Sequence, residues 1–481
     1  MSLSSSLNIA VAGLDLSSRR ADVVARNVAN ADRAGYARRS IDMGGPGVGV
    51  PGSFVTISRD SDPRLVLMRR EAQSRQAGEE VLQTFYARLD SGIGDPDQSG
   101  SLSDQIARLD AAFVTAAADP RSVVGMTEIA NAATDLVALI NTLDDIIQDE
   151  RQSADTDIGR VVAQLNSDLA DVARLNTDIR RLSSGGNDAA DLQDQRALLI
   201  DRISAQVPVR ELARDDGAVA LVSKGGLLLL DGRPATLGFD TRAPITAEMS
   251  APTQLSGLRV NGRDVGTTGT PSGIPGGALE ALFKIRDDVA PQATSRLDGL
   301  AADLIERFEA ADVDTTRMIG DAGLFTDRGT VIAAVPDPGL AGRLEVNERI
   351  LPDAGGDLWR LRDGLGAIAE GTGVDASLIL RYGATLSKQA QPSSGGLPGI
   401  TASLAGHAAS LKSIVSSERL AMDDRVAFSM ISTDGLAAGR DGGQVDIDTE
   451  MRRLVEIEQA YAANARIVQA VSDMMNRLTE I

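Results

Sequence analysis

The chain has 481 residues, of which 43% are hydrophobic and 24% charged, and its net charge is −20. This length favours about two to four domains, and the acidic balance disfavours nucleic acid as a partner because an acidic surface repels phosphates. With no Cys and a single His, disulfides, thiol nucleophiles and multi-histidine metal sites within one chain are excluded, and no cofactor is expected.

The N-terminal segment predicts a coiled-coil helix. Met1 to Ser6 lack the charged and apolar regions of a secretory signal, and no run of about 18 apolar residues follows, so membrane insertion is not expected. We expect a helix over 3–31 that ends near Asn30 and Gly35. Spacing that alternates four and three places one narrow apolar stripe on it. The stripe comprises Leu3, Leu7, Ala10, Leu14, Ser17, Ala21, Val24, Val28 and Ala31.

Helical patterns dominate the middle of the chain. The longest covers 123–182, and its interior Gly159 leaves open whether it forms one rod or two stacked helices. Apolar runs and the Asn261-Gly262 pair, which is favoured in tight hairpins, predict a β-rich segment over 206–275. The other predicted helices cover 65–89, 101–118, 192–203, 278–310 and 400–436, with a last helix from 446 onward.

The last helix carries a second heptad stripe, spaced 3-4-3-4. One member, Asn464, is polar. A lone polar residue in such a seam fixes the register of pairing, although a position at the wet edge of the seam would explain Asn464 equally well. The stripe comprises Leu454, Ile457, Tyr461, Asn464, Val468, Val471, Met475 and Leu478.

Because neither terminal helix can cover its stripe alone, the two ends are expected to pair with each other or with neighbouring copies. The fold class that follows is mainly α, with discontinuous coiled-coil and helical-bundle domains built from both chain ends and a small β-rich inserted domain. We predict a terminal coiled-coil domain (1–60 plus 440–481), a helical rod domain (61–205 plus 276–439, irregular over 312–394) and the insert (206–275). The insert is expected to be dispensable for folding of the rod.

Motifs that carry chemistry are weak. The glycines of 47–52 have the spacing of a dinucleotide loop but lack the preceding strand and following helix, so a plain loop is favoured. Asp446 and Asp448 are better explained as helix caps than as calcium ligands. His407 lies on a predicted helix without an obvious partner, which favours packing over catalysis.

Three arginines follow the first helix. Arg33, Arg38 and Arg39 lie in a segment that otherwise predicts a turn. Their pattern fits an intersubunit contact and a solvated turn about equally well.

The two ends resemble flagellar axial proteins. The segment 27–40, NVANADRAGYARRS, is similar to the pattern that follows the first helix in that superfamily, and its matching positions are Asn27, Asn30, Gly35 and Tyr36. Val28 and Arg33 depart from the usual Ile and Thr. The segment 455–478, VEIEQAYAANARIVQAVSDMMNRL, is similar to the C-terminal signature. Rod, hook and hook-associated proteins share these ends.

Internal segments narrow the resemblance to the flagellar hook-associated protein type 1 family, which forms the junction between hook and filament. They are DAADLQDQRALL (188–199), GGALEALFKIRDDV (276–289) and RLEVNERILPDAGGDLW (343–359). A histidine that the family often carries after its Gly-Gly helix is absent from 309–318.

The resemblance implies a non-enzymatic structural subunit exported through the flagellar type III channel to the extracellular junction. Its implied partners are further copies in a homo-oligomeric ring, the hook protein, a second hook-associated junction protein and a cytoplasmic export chaperone. The alternatives are another axial component, such as a hook or rod protein, and an enzyme carried on the filament.

Overall fold

The computed structural model describes residues 3–33, 35–44, 54–185, 188–267, 273–392, 396–439 and 445–479. Its principal helices are α1 (Leu3–Ala29), α2 (Pro63–Ile93), α3 (Leu102–Ala118), α4 (Val123–Ser184), α5 (Ala190–Gln206), α6 (Gly277–Lys284), α7 (Ala290–Glu309), α8 (Arg360–Asp363), α9 (Ser377–Ser387), α10 (Leu404–Gly439) and α11 (Ile447–Thr479). The strands are β1 (Arg39–Gly44), β2 (Phe54–Arg59), β3 (Val209–Ala213), β4 (Val219–Ser223), β5 (Leu228–Asp231), β6 (Arg233–Pro234), β7 (Leu237–Gly238), β8 (Leu258–Val260), β9 (Arg263–Val265), β10 (Phe325–Asp327) and β11 (Leu344–Val346). The predicted class, mainly α with a small β-rich insert, is confirmed.

Helix α4 is the spine of the rod. The Ser122 hydroxyl caps it by accepting from the Gly125 amide at 3.1 Å, and the helix continues unbroken for 62 residues, roughly 90 Å. The alternative of a break at Gly159 is therefore wrong. A Cβ at Gly159 would lie 2.5 Å from the Thr241 side chain, so glycine is required here for the approach of the insert.

Helix α4 is also, by length and composition alone, apolar enough to cross a membrane. Its apolar residues are instead packed inside the protein: Ile129, Leu136 and Ile140 in its first half and Ile158 and Val172 in its second are fully buried. Burial of this kind identifies α4 as a core helix.

Segments from both halves of the chain build the rod. Helices α2 and α10 run antiparallel, since Asp90 near the end of α2 accepts from Lys412 (2.8 Å), early in α10, whereas Gln76 accepts from Thr433 (3.1 Å), late in α10. An aromatic cluster fills the space between α3, α7 and α9, where Phe308 stacks on Phe113 at 6.2 Å between ring centroids.

The predicted helix over 278–310 is interrupted. A π-helical turn, Ile285–Val289, separates α6 from α7, and its Arg286 is fully buried. Arg286 pairs with Asp155 of α4 at 2.8 Å, and both side chains are 0% exposed. The guanidinium also lies over the Phe239 ring of the insert, at 5.3 Å. Arg286 therefore connects the π-helical turn, α4 and the insert through one buried charge.

The insert forms two antiparallel sheets, in the strand orders β3-β4-β5-β6 and β7-β8-β9, which pack on the second half of α4. Asn261 and Gly262 both have positive φ and connect β8 to β9, so the predicted hairpin is confirmed. Two asparagines of α4 hydrogen-bond to strand backbone. Asn166 bonds to both the amide and the carbonyl of Leu237 at 2.8 Å, and Asn176 bonds likewise to Val219.

The insert and the rod share one hydrophobic core, which argues against the expectation that the insert is dispensable. Leu165, Leu169 and Val172 of α4 belong to the same buried cluster as Leu230 and Leu258 of the strands.

Joining Gln206 to Gly276 through a short Gly/Ser linker should therefore destabilise the rod. Exposing each large apolar side chain of α4 costs about 1.5–3 kcal/mol. We expect a broadened, lower thermal melt by circular dichroism, or aggregation. A cooperative melt at the temperature of the full chain would restore the original expectation.

A second prediction concerns Asp144, a buried residue of α4. Burial raises the pKa of its carboxyl to about 6, and Asp298 of α7 adds to this, while Gln148 and Arg343 act in the opposite direction. Oδ1 of Asp144 has no hydrogen-bond partner among the described residues. Because the folded state binds this proton more tightly than the unfolded state, the destabilisation due to the Asp144 carboxylate should disappear as the pH falls from 7 toward 4.

Asp144→Asn should raise the free energy of unfolding at pH 7.5 by about 2–3 kcal/mol, the equivalent of the pKa shift. At pH 4 the gain should vanish, because the wild-type carboxyl is then neutral in the folded protein. Urea unfolding at both pH values measures this, with Asp135→Asn, at an exposed position of the same helix, as the control. An equal effect of Asp144→Asn at the two pH values would contradict the prediction.

Candidate assembly interface

Helices α1 and α11, from opposite ends of the chain, pair antiparallel. Asn27 near the end of α1 bonds to Glu450 near the start of α11 at 3.0 Å, and Gly13 faces Asn464 further along. The same number of residues separates the two contacts on each helix, so the register is regular. A Cβ at Gly13 would lie 2.7 Å from the Asn464 amide nitrogen. A side chain at Gly13 would force the Asn464 amide to move. Asn464 is half-buried, so its register role and a position at the wet edge of the seam both stay open.

The stripes face each other but are incompletely covered. Val24 and Val471 are buried, whereas Tyr461 (48%) and Met475 (44%) are exposed. The side chain of Leu478 lies outside the described residues. The remaining predicted seam residues are half-buried: Leu3, Leu7, Leu14, Val28, Leu454, Ile457, Asn464 and Val468. Pairing within one chain thus leaves much of the apolar surface available, and the role of these residues in assembly stays a prediction.

Asn27 is the centre of a buried hydrogen-bond network. Its side chain is 0% exposed and makes four hydrogen bonds. The amide nitrogen donates to the Arg39 carbonyl and to Glu450, both at 3.0 Å. The amide oxygen accepts from the Tyr36 hydroxyl at 2.9 Å and from the Arg39 amide at 3.0 Å. Asn27 thereby fixes β1 and α11 to the end of α1.

Glu450 was not among the predicted site residues, although it occupies the heptad position four residues before Leu454. It is 1% exposed, and its Oε1 accepts from Arg38 at 2.9 Å and from Arg453 at 2.6 Å. Burial lowers the pKa of Arg38, but its hydrogen bond and charge interaction with Glu450 and Asp60 outweigh that effect and raise it. A carboxylate in a heptad position, three residues from a basic residue, was the available signal.

Arg38 and Arg39 form ion pairs within the chain, so the solvated-turn interpretation is wrong for both, whereas the intersubunit contact stays a prediction. Arg39 is 2% exposed and bonds to Asp191 and to Asp194 (3.1 Å) at the start of α5. Its guanidinium lies over the Tyr36 ring at 4.9 Å. The hydrogen bond from Arg39 lowers the pKa of Asp191. These arginines fix the terminal unit to the rod within one chain, whereas Arg33 is exposed.

The remaining motif residues have local structural roles. Gly35 has φ of +79°, and a Cβ there would lie 2.6 Å from Leu198, so no other residue fits. The Asn30 amide donates to the Arg26 carbonyl at 2.8 Å and closes the helix end. Strands β1 and β2, which the sequence did not predict, pair from Arg39 with Arg59 to Gly44 with Phe54.

The other candidate sites are structural. Asp446 caps α11 as predicted, accepting from the Asp448 amide at 3.0 Å, and its hydrogen bonds with Thr449 lower the pKa of its carboxyl. His407 is buried with Nε2 at 3.0 Å from the Ala390 carbonyl, in line with the packing interpretation. The 47–52 loop lies outside the described residues. Within the described ranges no group of three His, Cys, Asp or Glu is placed to hold a metal ion.

Replacing Asn27 should loosen the terminal unit. Asn27→Ala leaves the Tyr36 hydroxyl and the Arg39 backbone without partners, which costs about 2–4 kcal/mol. Faster hydrogen exchange in β1, β2 and the first turns of α11 is the expected result. Asn30→Ala, which removes only a bond at a helix end, is the control. Unchanged exchange in Asn27→Ala would refute the central role of Asn27.

Comparison with known proteins identifies the family. The profile of the flagellar hook-associated protein FlgK helical domain matches residues 86–325, and that of the flagellar basal body rod FlgEFG protein C-terminal region matches residues 442–481. Flagellar hook-associated protein 1 of Salmonella typhimurium is 26% identical over 48% of this chain and 44% of its own length. The Bacillus subtilis protein of that name is 22% identical over 94% of this chain and 93% of its own.

The region of similarity thus covers less than half of the length of the Salmonella protein. Among solved structures, the flagellar hook junction protein FlgK from Burkholderia pseudomallei is 21% identical, with a TM-score of 0.43 over 54% of this chain and 46% of its own. On the profile and sequence matches, this chain belongs to the flagellar hook-associated protein 1 family.

Proposed function

We propose that this chain is a structural subunit of the bacterial flagellum at the junction between hook and filament. The proposal rests on one observation above others. The two chain ends pair with each other and still expose apolar side chains that a monomer has no reason to display. These are Ile9, Val11, Ile447, Met451, Val455, Tyr461, Ile467, Met474 and Met475.

Neighbouring subunits would cover this surface. In a homo-oligomeric ring each terminal helix pair packs on the next, as a coiled coil with several strands would. The proposed neighbours above and below are a second hook-associated junction protein and the hook protein. Export through the flagellar channel, with a cytoplasmic chaperone holding the chain before export, completes the proposal and implies an extracellular location.

A different axial component is the second candidate. The C-terminal 40 residues match the rod-protein profile, which favours this reading for the terminal helix alone. The helical-domain match over 86–325 favours the junction. No arrangement among the described residues supports an enzyme on the filament.

Val468→Asp tests the seam. An unpaired charge in the half-buried stripe costs several kcal/mol in the assembly. We expect the variant to be exported but to lose filament attachment, seen as poor swimming, hooks without filaments and filament protein in the medium. Val114→Asp, the same change at an exposed position of α3, is the matched control and should swim normally.

Export of Val468→Asp is checked in the culture medium, so that a secretion defect is not mistaken for an assembly defect. Circular dichroism of the purified variant checks that the rod is folded. If Val468→Asp is exported and supports normal filaments, the last helix does not form the proposed seam.

A further inference from the structure

A cavity of about 600 Å³ opens where the terminal unit meets the rod. Its walls are the first turns of α2, one face of α5, strand β3 and the end of β2. The apolar part of the wall includes Leu65, Ile200 and Leu212. The size and the largely apolar lining with a few charged groups are those of a binding site.

The charged lining has an excess of guanidinium groups, although the chain as a whole is acidic. Arg69 and Arg70 share one carboxylate, Asp201, at 2.7 and 2.6 Å. Arg59 shares Asp194 with Arg39. Three of the four lining carboxylates, Asp60, Asp201 and Glu211, are therefore already in ion pairs, and Asp201 is in two.

Arg196 lacks such a partner. Its side chain is buried, and its Nη1 donates to two neutral acceptors, the Asn176 amide oxygen at 2.8 Å and the Gly217 carbonyl at 2.9 Å. Within the described residues it forms no ion pair. Burial lowers the pKa of Arg196; the nearby Glu211 carboxylate acts in the opposite direction, and the guanidinium groups of Arg59 and Arg70 lower it further. Because Glu211 is already paired with Arg70, a carboxylate supplied from outside would add the ion pair that Arg196 lacks.

Strand β3 offers backbone at the same place. It is an edge strand of its sheet, and it is exposed from Arg210 to Ala213. An exposed edge pairs readily with an added strand, whose alternate side chains point to one face. Arg196, Leu65 and Leu212 line the same cavity, so a strand added at this edge would place a carboxylate and its apolar neighbours beside one cation and two apolar side chains.

We propose that this cavity and the edge of β3 receive an extended segment of a neighbouring subunit, in which a carboxylate side chain is flanked by apolar residues at i−2 and i+2. The inference rests on the proposed function only in naming a neighbouring subunit as the source. The binding chemistry follows from the cavity itself, so it can be tested without a flagellum.

The probe is the fluorescein-labelled peptide Thr-Leu-Thr-Asp-Thr-Leu-Thr, titrated with the full chain and followed by fluorescence anisotropy. We expect saturable binding that weakens as the salt concentration rises. Replacing Asp with Asn in the peptide should reduce its affinity by more than about tenfold. Arg196→Gln should produce the same loss. Leu212→Ser, at a position that is 45% exposed, should weaken binding by about threefold, and circular dichroism of the variant checks its folding.

Arg174→Gln is the matched control, because it removes an exposed charge of α4 that pairs with Asp171 away from the cavity. Several results would overturn the proposal: no binding, equal affinity for the Asp and Asn peptides, or indifference to both Arg196→Gln and Leu212→Ser. Complete competition by millimolar acetate or inorganic phosphate would indicate a small-anion site instead. None of these results would bear on the junction function, which Val468→Asp tests separately.

Discussion

The structure depends on a contact between the two ends of the chain. The Asn27 amide joins the end of α1 to the first turns of α11 through Glu450, and it also hydrogen-bonds to the backbone of β1. A buried side-chain amide that makes all four hydrogen bonds is well satisfied, whereas removing it would leave buried donors and acceptors unpaired and lower the free energy of unfolding. The helix pair, the β1–β2 hairpin and the arginines that reach α5 therefore hold their positions together.

A similar device fixes the insert to the rod. Arg151 of α4 is nearly fully buried and donates to the carbonyls of Arg286 and Thr246 at 2.8 and 3.0 Å. Arg286 in turn pairs with Asp155. Guanidinium donors are numerous and fixed in one plane, so a single arginine can satisfy several irregular backbone carbonyls. This explains how a loop with little regular structure packs tightly against a long helix.

Local patterns in the sequence were sufficient to predict the two terminal helices, the helical segment over 123–182 and the β-rich insert, because heptads, caps and hairpin turns are local signals. The Asp446 cap and the Asn261-Gly262 turn are of this kind. The same patterns left open whether the long helix breaks at Gly159 and whether the ends pair within one chain or with neighbouring copies. The roles of Arg38 and Arg39 could not be predicted, since their carboxylate partners are far away in sequence. The π turn at Ile285–Val289 has no local signature either, because its cause is the packing of Arg286 against α4.

The link between Asn27 and Glu450 joins residues 423 positions apart. Because loop closure over such a separation costs entropy, we expect this contact to form after the antiparallel pairing of α2 and α10 has brought the two ends together, and it requires the chain at least as far as Glu450. A chain truncated before Glu450 would leave the Asn27 amide and Arg38 without a partner that they share. The two ends of the chain are therefore interdependent: the order of the N-terminal segment depends on residues that come last in the sequence.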